Sequence, residues 1–316
     1  MSERVVFLDR ASVRADFRRP EFDHVWVDYP QTLPQEGVGR LSGATISISN
    51  KVPIMGNTIA QLPALRMIAV CATGTNNVDL DACRARGIVV SNIRDYATHT
   101  VPEHVFMLML ALRRNLLAYR AAVQAGEWQR AGRFCLMDYP IEDLHGATLG
   151  IVGGGALGSS VHRLAEAFGM RVLLAERKGA GAIRAGYASF DTVLADSDVI
   201  TLHLPLTPET RHLIGTPELA RMRKTAILIN TARGGLVDES ALAAALKQRR
   251  IAGAAFDVLT EEPPRSGNPL LDLDLPNFIL TPHNAWASRT AMQAMADQLI
   301  ENLEAFARAA PRNRVV

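Results

Sequence analysis

Cysteine, long apolar runs and an excess of charge of either sign are all scarce in this sequence of 316 residues. The three cysteines, Cys71, Cys83 and Cys135, are odd in number and form no CxxC pair, so neither a disulfide framework nor a zinc site is predicted. The longest apolar run, residues 105–112, ends at two arginines and is shorter than the ~18 residues of a membrane span. A net charge of +2 gives no basic surface for nucleic acid.

Several sequence signatures are also missing. There is no HExxH, no paired His/Cys spacing and no acidic cluster, so we predict no metal site. The absence of GxSxG removes the α/β-hydrolase interpretation. The N-terminal segment carries Glu3, Arg4, Asp9 and Arg10 and no apolar stretch, so we expect no signal peptide and a cytoplasmic location. Hydrophobic residues make up 48% and charged residues 21%, which is ordinary globular composition.

The first hundred residues repeat a short apolar pattern. Stretches rich in β-branched residues recur about every 20 residues, a spacing that holds one strand, a short helix and two turns. They begin near residues 4, 25, 44, 66 and 87. Continuous apolar strands are typical of a parallel sheet covered on both faces. We therefore predict a small flavodoxin-like α/β domain.

A second βα series begins near residue 147. Its predicted strands lie at 148–152, 171–175, 198–203, 226–230, 253–258 and 278–281. Thr100 with Glu103, and Thr290 with Gln293, have the spacing of capping boxes that begin the helix before this series and the helix after it. We predict a Rossmann-type doubly wound parallel sheet domain over 99–286 and a smaller substrate domain over 1–98 with 287–316.

The most specific local motif is GIVGGGALG at residues 150–158, which follows a predicted strand and opens a predicted helix. Gly153, Gly155 and Gly158 form GxGxxG, which gives a tight turn, close backbone approach to pyrophosphate and close packing of helix on strand. Glu176 ends the next predicted strand, where an acid can accept hydrogen bonds from the adenosine ribose hydroxyls. The motif and the acid together predict a dinucleotide site.

Three polar residues follow later strands of the same series. Arg233 follows AILIN, Glu262 follows GAAFDV and His283 follows FILT. If these strands are parallel, the three loops leave the carboxyl edge of the sheet that carries the glycine loop, where open α/β sheets bind ligands. A cation, an acid and an imidazole are therefore predicted to converge beside the dinucleotide.

The order of these motifs, with HLPLTPET between them and PHNAWAS after them, resembles the D-isomer-specific 2-hydroxyacid dehydrogenase family. The resemblance begins near residue 72 and is strongest to the glycerate dehydrogenase (hydroxypyruvate reductase) branch. It implies Arg233 as the arginine that orients the substrate, Glu262 as the partner of the histidine and His283 as the acid/base. It also implies that Gly74 and Thr75 offer backbone N–H groups to the substrate carboxylate.

The resemblance extends to the cofactor. Besides the three glycines it implies a dinucleotide site lined by the following residues: Ala156, Leu157, Glu176, Arg177, Leu204, Pro205, Thr231, Ala232 and Asp257. The carboxylate of Glu176 favours NAD, because its charge repels a 2′-phosphate. The neighbouring Arg177 and Lys178 act in the opposite direction. We expect NADH to be preferred by a modest ratio, with NADP the weaker cofactor.

The resulting functional prediction is a reversible hydride transfer between NADH and a short 2-keto acid, hydroxypyruvate or glyoxylate. His283, as imidazolium, is expected to protonate the carbonyl oxygen while Glu262 favours the charged ring. Arg233 is expected to hold the substrate carboxylate or carbonyl oxygen. The alternatives are a family member acting on another 2-keto acid, of D-lactate or phosphoglycerate type, and a non-catalytic NAD-sensing protein. We also predict a homodimer.

Overall fold

The computed structural model describes residues 2–316 and divides the chain into two compact units. One unit comprises the residues up to Tyr96 together with Ala287–Val316, and the other comprises Ala97–Trp286. Each unit is built on its own parallel sheet with its own buried core. The prediction of two parallel-sheet α/β domains is confirmed.

The first unit contains a five-stranded sheet. Its strands are β1 (Glu3–Phe7), β2 (His24–Asp28), β3 (Ile46–Ser49), β4 (Met67–Val70) and β5 (Val89–Ser91). All of them pair in parallel in the order β2-β1-β3-β4-β5, the flavodoxin-like order. Short helices connect them: α1 (Gly37–Arg40), α2 (Gly56–Ile59) and α3 (Leu80–Ala85). Every residue of β3 and β4 is buried, as expected for a sheet covered on both faces.

The second unit begins with three helices and continues as a seven-stranded sheet. The helices are α4 (Thr100–Arg113), α5 (Leu116–Gln124) and α6 (Glu127–Ala131). The strands are β6 (Thr148–Val152), β7 (Arg171–Ala175), β8 (Tyr187–Ala188), β9 (Val199–Leu202), β10 (Ile227–Asn230), β11 (Gly253–Phe256) and β12 (Phe278–Leu280). The connecting helices are α7 (Ala156–Ala167), α8 (Phe190–Asp196), α9 (Thr216–Arg221) and α10 (Glu239–Lys247).

These seven strands are all parallel and lie in the order β12-β11-β10-β9-β6-β7-β8. The order reverses between β6 and β9, because the chain first winds outward through β7 and β8 and then returns to the other side of β6. In doubly wound sheets this switch point is where ligands bind, beyond the carboxyl ends of the strands.

The last helix, α11 (Arg289–Ala307), belongs to the first unit. The buried side chain of Asn302 donates to the carbonyl of Asn92 at 2.9 Å. Gln293 exchanges two hydrogen bonds with the backbone of Asp16, at 3.0 and 2.9 Å. These contacts attach the end of the chain to the unit in which the chain begins.

Four local predictions differ from the structure. The N-cap of α4 is His99 and not Thr100, whose hydroxyl donates to the carbonyl of Ala285 instead. The N-cap of α11 is Ser288 and not Thr290, because the Ser288 hydroxyl accepts from the Ala291 N–H. Strand β8 was not predicted, since two residues carry no periodicity. Residues 126–139 show no clear apolar period in the sequence and would be read as an irregular loop, yet they contain α6.

Candidate active site

The glycine loop lies at the switch point of the seven-stranded sheet and joins β6 to α7. Gly153 has φ +108°, and a Cβ there would lie 2.3 Å from the carbonyl oxygen of His203. A Cβ on Gly158 would lie 2.0 Å from the carbonyl oxygen of Gly153. Only glycine fits at either position. A Cβ on Gly155, in contrast, would meet no atom within 4 Å.

This difference between the glycines tests whether a dinucleotide fits. The first and third glycines are required by the packing of the loop, whereas the middle glycine faces open space just before α7. Ala156 and Leu157 are the first two residues of that helix, whose N–H groups have no partner within the helix. Free N–H groups and the positive end of the helix dipole suit a pyrophosphate. The loop therefore fits a dinucleotide.

Beyond the neighbouring strands lie the other residues predicted to line the cofactor. Thr231 is buried, and within residues 2–316 its hydroxyl has no hydrogen-bond partner. Ala232 follows it and is partly exposed. Leu204 and Pro205 follow β9, directly after the His203 carbonyl that Gly153 contacts. The unpartnered Thr231 hydroxyl offers a hydrogen bond to a ligand at this edge.

Glu176 follows β7 directly, and its carboxylate is bound by the protein itself. The Arg184 side chain donates to both carboxylate oxygens, through Nε to Oε2 at 2.5 Å and through Nη2 to Oε1 at 2.9 Å. These hydrogen bonds hold the pKa of the Glu176 carboxyl at about 2, so the group is charged. Arg177 contributes its backbone N–H to Oε1. Lys178 is bound elsewhere, to Glu218 at 2.9 Å.

Arg233 is placed by the loop that follows β10. The buried Asn230 side chain donates to the Arg233 carbonyl at 2.8 Å and accepts from the Ala232 N–H at 3.1 Å. A Cβ on Gly234 would lie 2.0 Å from the carbonyl carbon of Leu259, so this loop packs directly on the loop after β11. The sequence NTARG thus brings Arg233, which is half-buried, beside the segment that carries Glu262.

Glu262 and His283 are in direct contact. Oε2 of Glu262 lies 2.6 Å from Nδ1 of His283, and Oε1 accepts from the Leu259 N–H at 2.9 Å. The second contact fixes the carboxylate relative to its own loop. Both side chains are partly open, with 34% of Glu262 and 27% of His283 exposed. The contact at Nδ1 fixes the ring orientation and directs Nε2 away from the carboxylate.

The backbone of His283 adopts the left-handed region, with φ +52°. Asp257, buried at the end of β11, accepts from the N–H groups of Asn284 and Ala285 at 3.0 and 2.9 Å and from the Thr281 hydroxyl at 2.5 Å. The indole of Trp286 donates to the His283 carbonyl at 2.9 Å. A non-glycine residue is held in this region only when its surroundings fix it, and these contacts do so.

Gly74 and Thr75 lie in the first unit, in the loop after β4, and both are partly exposed. The loop is anchored on both sides. Thr73 donates to the Ile93 carbonyl at 2.8 Å and accepts from the Asn92 side chain at 2.8 Å. The Thr75 carbonyl accepts from the Val78 N–H at 3.0 Å.

Sequence reasoning missed Arg184 and Trp286 as residues of this region. Arg184 lies in the irregular segment between β7 and β8, and no spacing rule connects it to Glu176.

Among residues 2–316 no group of three metal-ligating side chains is found, and no helix in that range is long and apolar enough to cross a membrane.

Comparison with known proteins adds independent information. Residues 106–285 match the family described as "D-isomer specific 2-hydroxyacid dehydrogenase, NAD binding domain". A glycerate dehydrogenase of Methylorubrum extorquens is 53% identical over 316 residues, which is 100% of this chain and 99% of that relative.

Solved structures also resemble the chain. One of them is a D-lactate dehydrogenase from Aquifex aeolicus, complexed with NAD and lactic acid, with a TM-score of 0.81 and 25% sequence identity. The match covers 97% of this chain and 96% of that chain. Another is an acyclic imino acid reductase in complex with NADPH and D-Arg, with a TM-score of 0.83 and 28% sequence identity. The match covers 99% of this chain and 100% of that chain.

Proposed function

Because the chain belongs to the D-isomer specific 2-hydroxyacid dehydrogenase family, we propose that it reduces hydroxypyruvate and glyoxylate to the D-2-hydroxy acids. The chain is an NAD-dependent oxidoreductase that interconverts 2-keto and 2-hydroxy acids. The observation that carries the site proposal is the 2.6 Å contact between His283 and Glu262, next to the loop that presents Arg233. The full-length similarity to a glycerate dehydrogenase supports the choice of a short keto acid.

His283 is the proton donor in this proposal. In the direction of reduction, the proton leaves Nε2 and bonds to the keto oxygen, so that the carbonyl becomes a hydroxyl. Glu262, bound at Nδ1, stabilises the imidazolium before the transfer and keeps the ring oriented after it. In the direction of oxidation, Nε2 takes the hydroxyl proton back. NADH, when bound, supplies the hydride that the keto carbon accepts.

Arg233 orients the substrate. Its guanidinium offers a planar set of donors that matches a carboxylate or a polarised carbonyl oxygen. The loop that carries it is fixed by Asn230 and by the packing of Gly234 on Leu259, which supports a defined position for the charge. In the first unit, Gly74 and Thr75 offer backbone N–H groups to the substrate carboxylate.

We assign residues 1–98 with 287–316 to the substrate domain and 99–286 to the dinucleotide-binding domain. The observed division at Tyr96 and Trp286 supports these bounds. In the second domain, Gly155, Ala156 and Leu157 would hold the pyrophosphate, and Thr231, Ala232 and Asp257 would line the nicotinamide side. Glu176, Arg177, Leu204 and Pro205 belong to the adenosine side. NADH is the preferred cofactor and NADPH the weaker one.

A homodimer is part of the proposal. Large apolar side chains are exposed along residues 107–141: Met107, Leu116, Leu117, Val123, Trp128, Phe134, Met137 and Ile141. Exposed large apolar side chains concentrated in one segment of the chain favour a protein interface, and we assign this segment to contact with a second copy of the chain. Light scattering on the purified protein tests this, and a monomer at micromolar concentration would contradict it. We also propose a cytoplasmic location, which the small number of cysteines supports.

A substrate panel tests the function. The purified protein would be given NADH with glyoxylate, hydroxypyruvate, pyruvate, 3-phosphohydroxypyruvate and a branched keto acid, and NADH oxidation would be followed by absorbance. The expected result is the highest kcat/KM for hydroxypyruvate or glyoxylate. A clear preference for pyruvate or the phosphorylated acid would show another substrate class. NADH binding with no turnover of any keto acid would favour the NAD-sensing alternative.

A further inference from the structure

The carboxylate of Glu176 is occupied by the protein's own donors. Oε1 accepts from the Arg177 N–H at 2.8 Å and from Arg184 Nη2 at 2.9 Å. Oε2 accepts from the Arg184 N–H at 3.3 Å and from Arg184 Nε at 2.5 Å. A carboxylate has about four lone-pair positions, so all of them are used in this arrangement. Glu176 cannot also accept from ribose hydroxyls unless a protein donor leaves.

The charge of Glu176 is also neutralised. Its side chain is only 5% exposed, and the guanidinium of Arg184 contacts both oxygens in a bidentate pair. A paired carboxylate repels an incoming phosphate far less than a single one, because the guanidinium lies at hydrogen-bond distance from it. Whether Glu176 repels a 2′-phosphate therefore depends on the position of Arg184.

Arg184 itself remains open to a ligand. Its side chain is 59% exposed, although it holds Glu176. The guanidinium carbon lies 4.0 Å from the ring centroid of Tyr187, and the Tyr187 hydroxyl lies 2.9 Å from the position of a Cβ on Gly154. The Arg184–Tyr187 stack therefore extends from the Glu176 carboxylate toward the glycine loop. An arginine has five N–H donors, and three of its side-chain N–H groups remain after the bonds to Glu176.

The other basic residues of this edge are less suitable. Lys178 donates to Glu218 at 2.9 Å and to the Leu213 carbonyl at 3.5 Å, so its ammonium is directed to α9 and the residues just before it. Arg177 contributes its backbone N–H, and its side chain is exposed. Arg184 is the residue that contacts Glu176 through its side chain.

We propose that Arg184 is the residue that sets the discrimination between NAD(H) and NADP(H), by occupying Glu176 and by donating to a 2′-phosphate. The proposal rests on the proposed dinucleotide site at the glycine loop. With Arg184 present, this side of the dinucleotide site binds both NAD(H) and NADP(H). Without it, the carboxylate becomes free for the ribose hydroxyls and its charge opposes a 2′-phosphate.

The test measures binding of two fragments that differ at the 2′ position. The Kd values of 2′,5′-ADP and of 5′-AMP would be measured by calorimetry, and those of NADPH and NADH by fluorescence. For Arg184→Gln we expect 2′,5′-ADP and NADPH to bind about ten- to a hundredfold more weakly. The affinities for 5′-AMP and NADH should not fall, because the freed Glu176 can then accept from the ribose hydroxyls. The 2′,5′-ADP affinity of the native protein should also fall more steeply with salt than that of the variant.

Two further variants separate the possible causes. Glu176→Gln releases Arg184 and removes the negative charge, so 2′,5′-ADP should bind more tightly. The affinity for 5′-AMP should change by less than about threefold, because the native carboxylate is already occupied by Arg177 and Arg184. Arg221→Gln is the matched control, because Arg221 is similarly exposed and pairs with Asp191 on the same domain. It should leave all four affinities unchanged.

Three results would overturn the proposal. Equal losses of affinity for 5′-AMP and for 2′,5′-ADP in Arg184→Gln would show that Arg184 only supports the fold of the loop. Unchanged 2′,5′-ADP binding would show that it does not contact the phosphate. If the affinity for 2′,5′-ADP falls in Arg177→Gln and not in Arg184→Gln, Arg177 is the residue that binds the 2′-phosphate. If the native protein binds neither NADH nor 5′-AMP, the proposed dinucleotide site fails, which is a different outcome from these.

Discussion

Two carboxylates at the same edge of the seven-stranded sheet are treated by the protein in opposite ways. Glu262 keeps one oxygen on its own loop and the other on His283, and a third of its side chain is exposed. Glu176 is buried, and all its acceptor positions are filled by Arg177 and Arg184. The first arrangement suits a group that supports proton exchange at an imidazole. The second suits a fixed charge that determines what binds beside it.

The partners of the two carboxylates also differ in origin. His283 comes from the next strand of the sheet, so the topology of the fold brings it to Glu262. Arg184 comes from the irregular connection between β7 and β8, so only the local path of the chain brings it to Glu176. Substitutions around the two carboxylates test this contrast.

Replacement of His283 by Gln removes the proton donor and keeps the size of the side chain. We expect kcat for keto-acid reduction to fall by about 10²–10⁴-fold, the usual contribution of a positioned acid. NADH binding, measured by fluorescence, should change by less than about twofold. A variant that keeps more than about a third of the native kcat would contradict the assignment.

Replacement of Asp257 by Asn removes the acceptor that holds the His283 loop. The amide has one oxygen for the three donors that Asp257 now accepts, and its NH₂ group faces backbone N–H groups. We expect the free energy of unfolding to fall by about 1–3 kcal/mol, together with a loss of kcat. Urea unfolding checks the first value. Asp191→Asn, at an exposed position on α8, should be silent in both measurements.

Replacement of Trp286 by Phe keeps a ring and removes the indole N–H that the His283 carbonyl accepts. We expect kcat to fall by about three- to tenfold with little change in Tm, because a single hydrogen bond contributes about 1 kcal/mol. Trp26→Phe, which removes a similar indole N–H bonded to Asp28 in the other unit, is the control. Equal effects of the two variants on kcat would show that the bond to His283 has no special role.

The acid dependence of stability is the smallest expected effect and concerns Glu176. Hydrogen bonds from Arg184 lower the pKa of Glu176 to about 2 from its ordinary value of 4.5. A lowered carboxyl pKa stabilises the folded state above pH 4.5, and this contribution is lost as the pH falls toward 2. The Tm difference between the native protein and Glu176→Gln should therefore shrink between pH 5 and pH 3. A constant difference would contradict the ion pair. Glu261→Gln serves as the control and should leave Tm unchanged.

The same contrast separates the features that can be predicted from the sequence from those that cannot. Both sheets, the glycine loop and the placement of Glu262, His283 and Arg233 follow from parallel strands, because strand ends share one edge. Strand β8, the caps at His99 and Ser288 and the Arg184 contact do not follow, because they depend on side-chain packing in short or irregular segments. Trp286 is visible as a residue, but its bond to the His283 carbonyl depends on a left-handed backbone that no pattern indicates.

Whether Glu262 is the charge that supports His283 can be measured through the pH dependence of kcat/KM for hydroxypyruvate reduction, side by side in Glu262→Gln, Glu261→Gln and Glu176→Gln. Loss of the charge beside His283 disfavours the imidazolium, so in Glu262→Gln the reduction should fall off at a lower pH than in the native protein. Glu261 is exposed and its carboxylate accepts from Ser266 at 3.4 Å, so Glu261→Gln should keep the native profile. Glu176→Gln should leave the position of the profile unchanged, because Glu176 is bound by Arg184 and not by His283. A profile that moves for Glu176 or Glu261 and not for Glu262 would contradict the account.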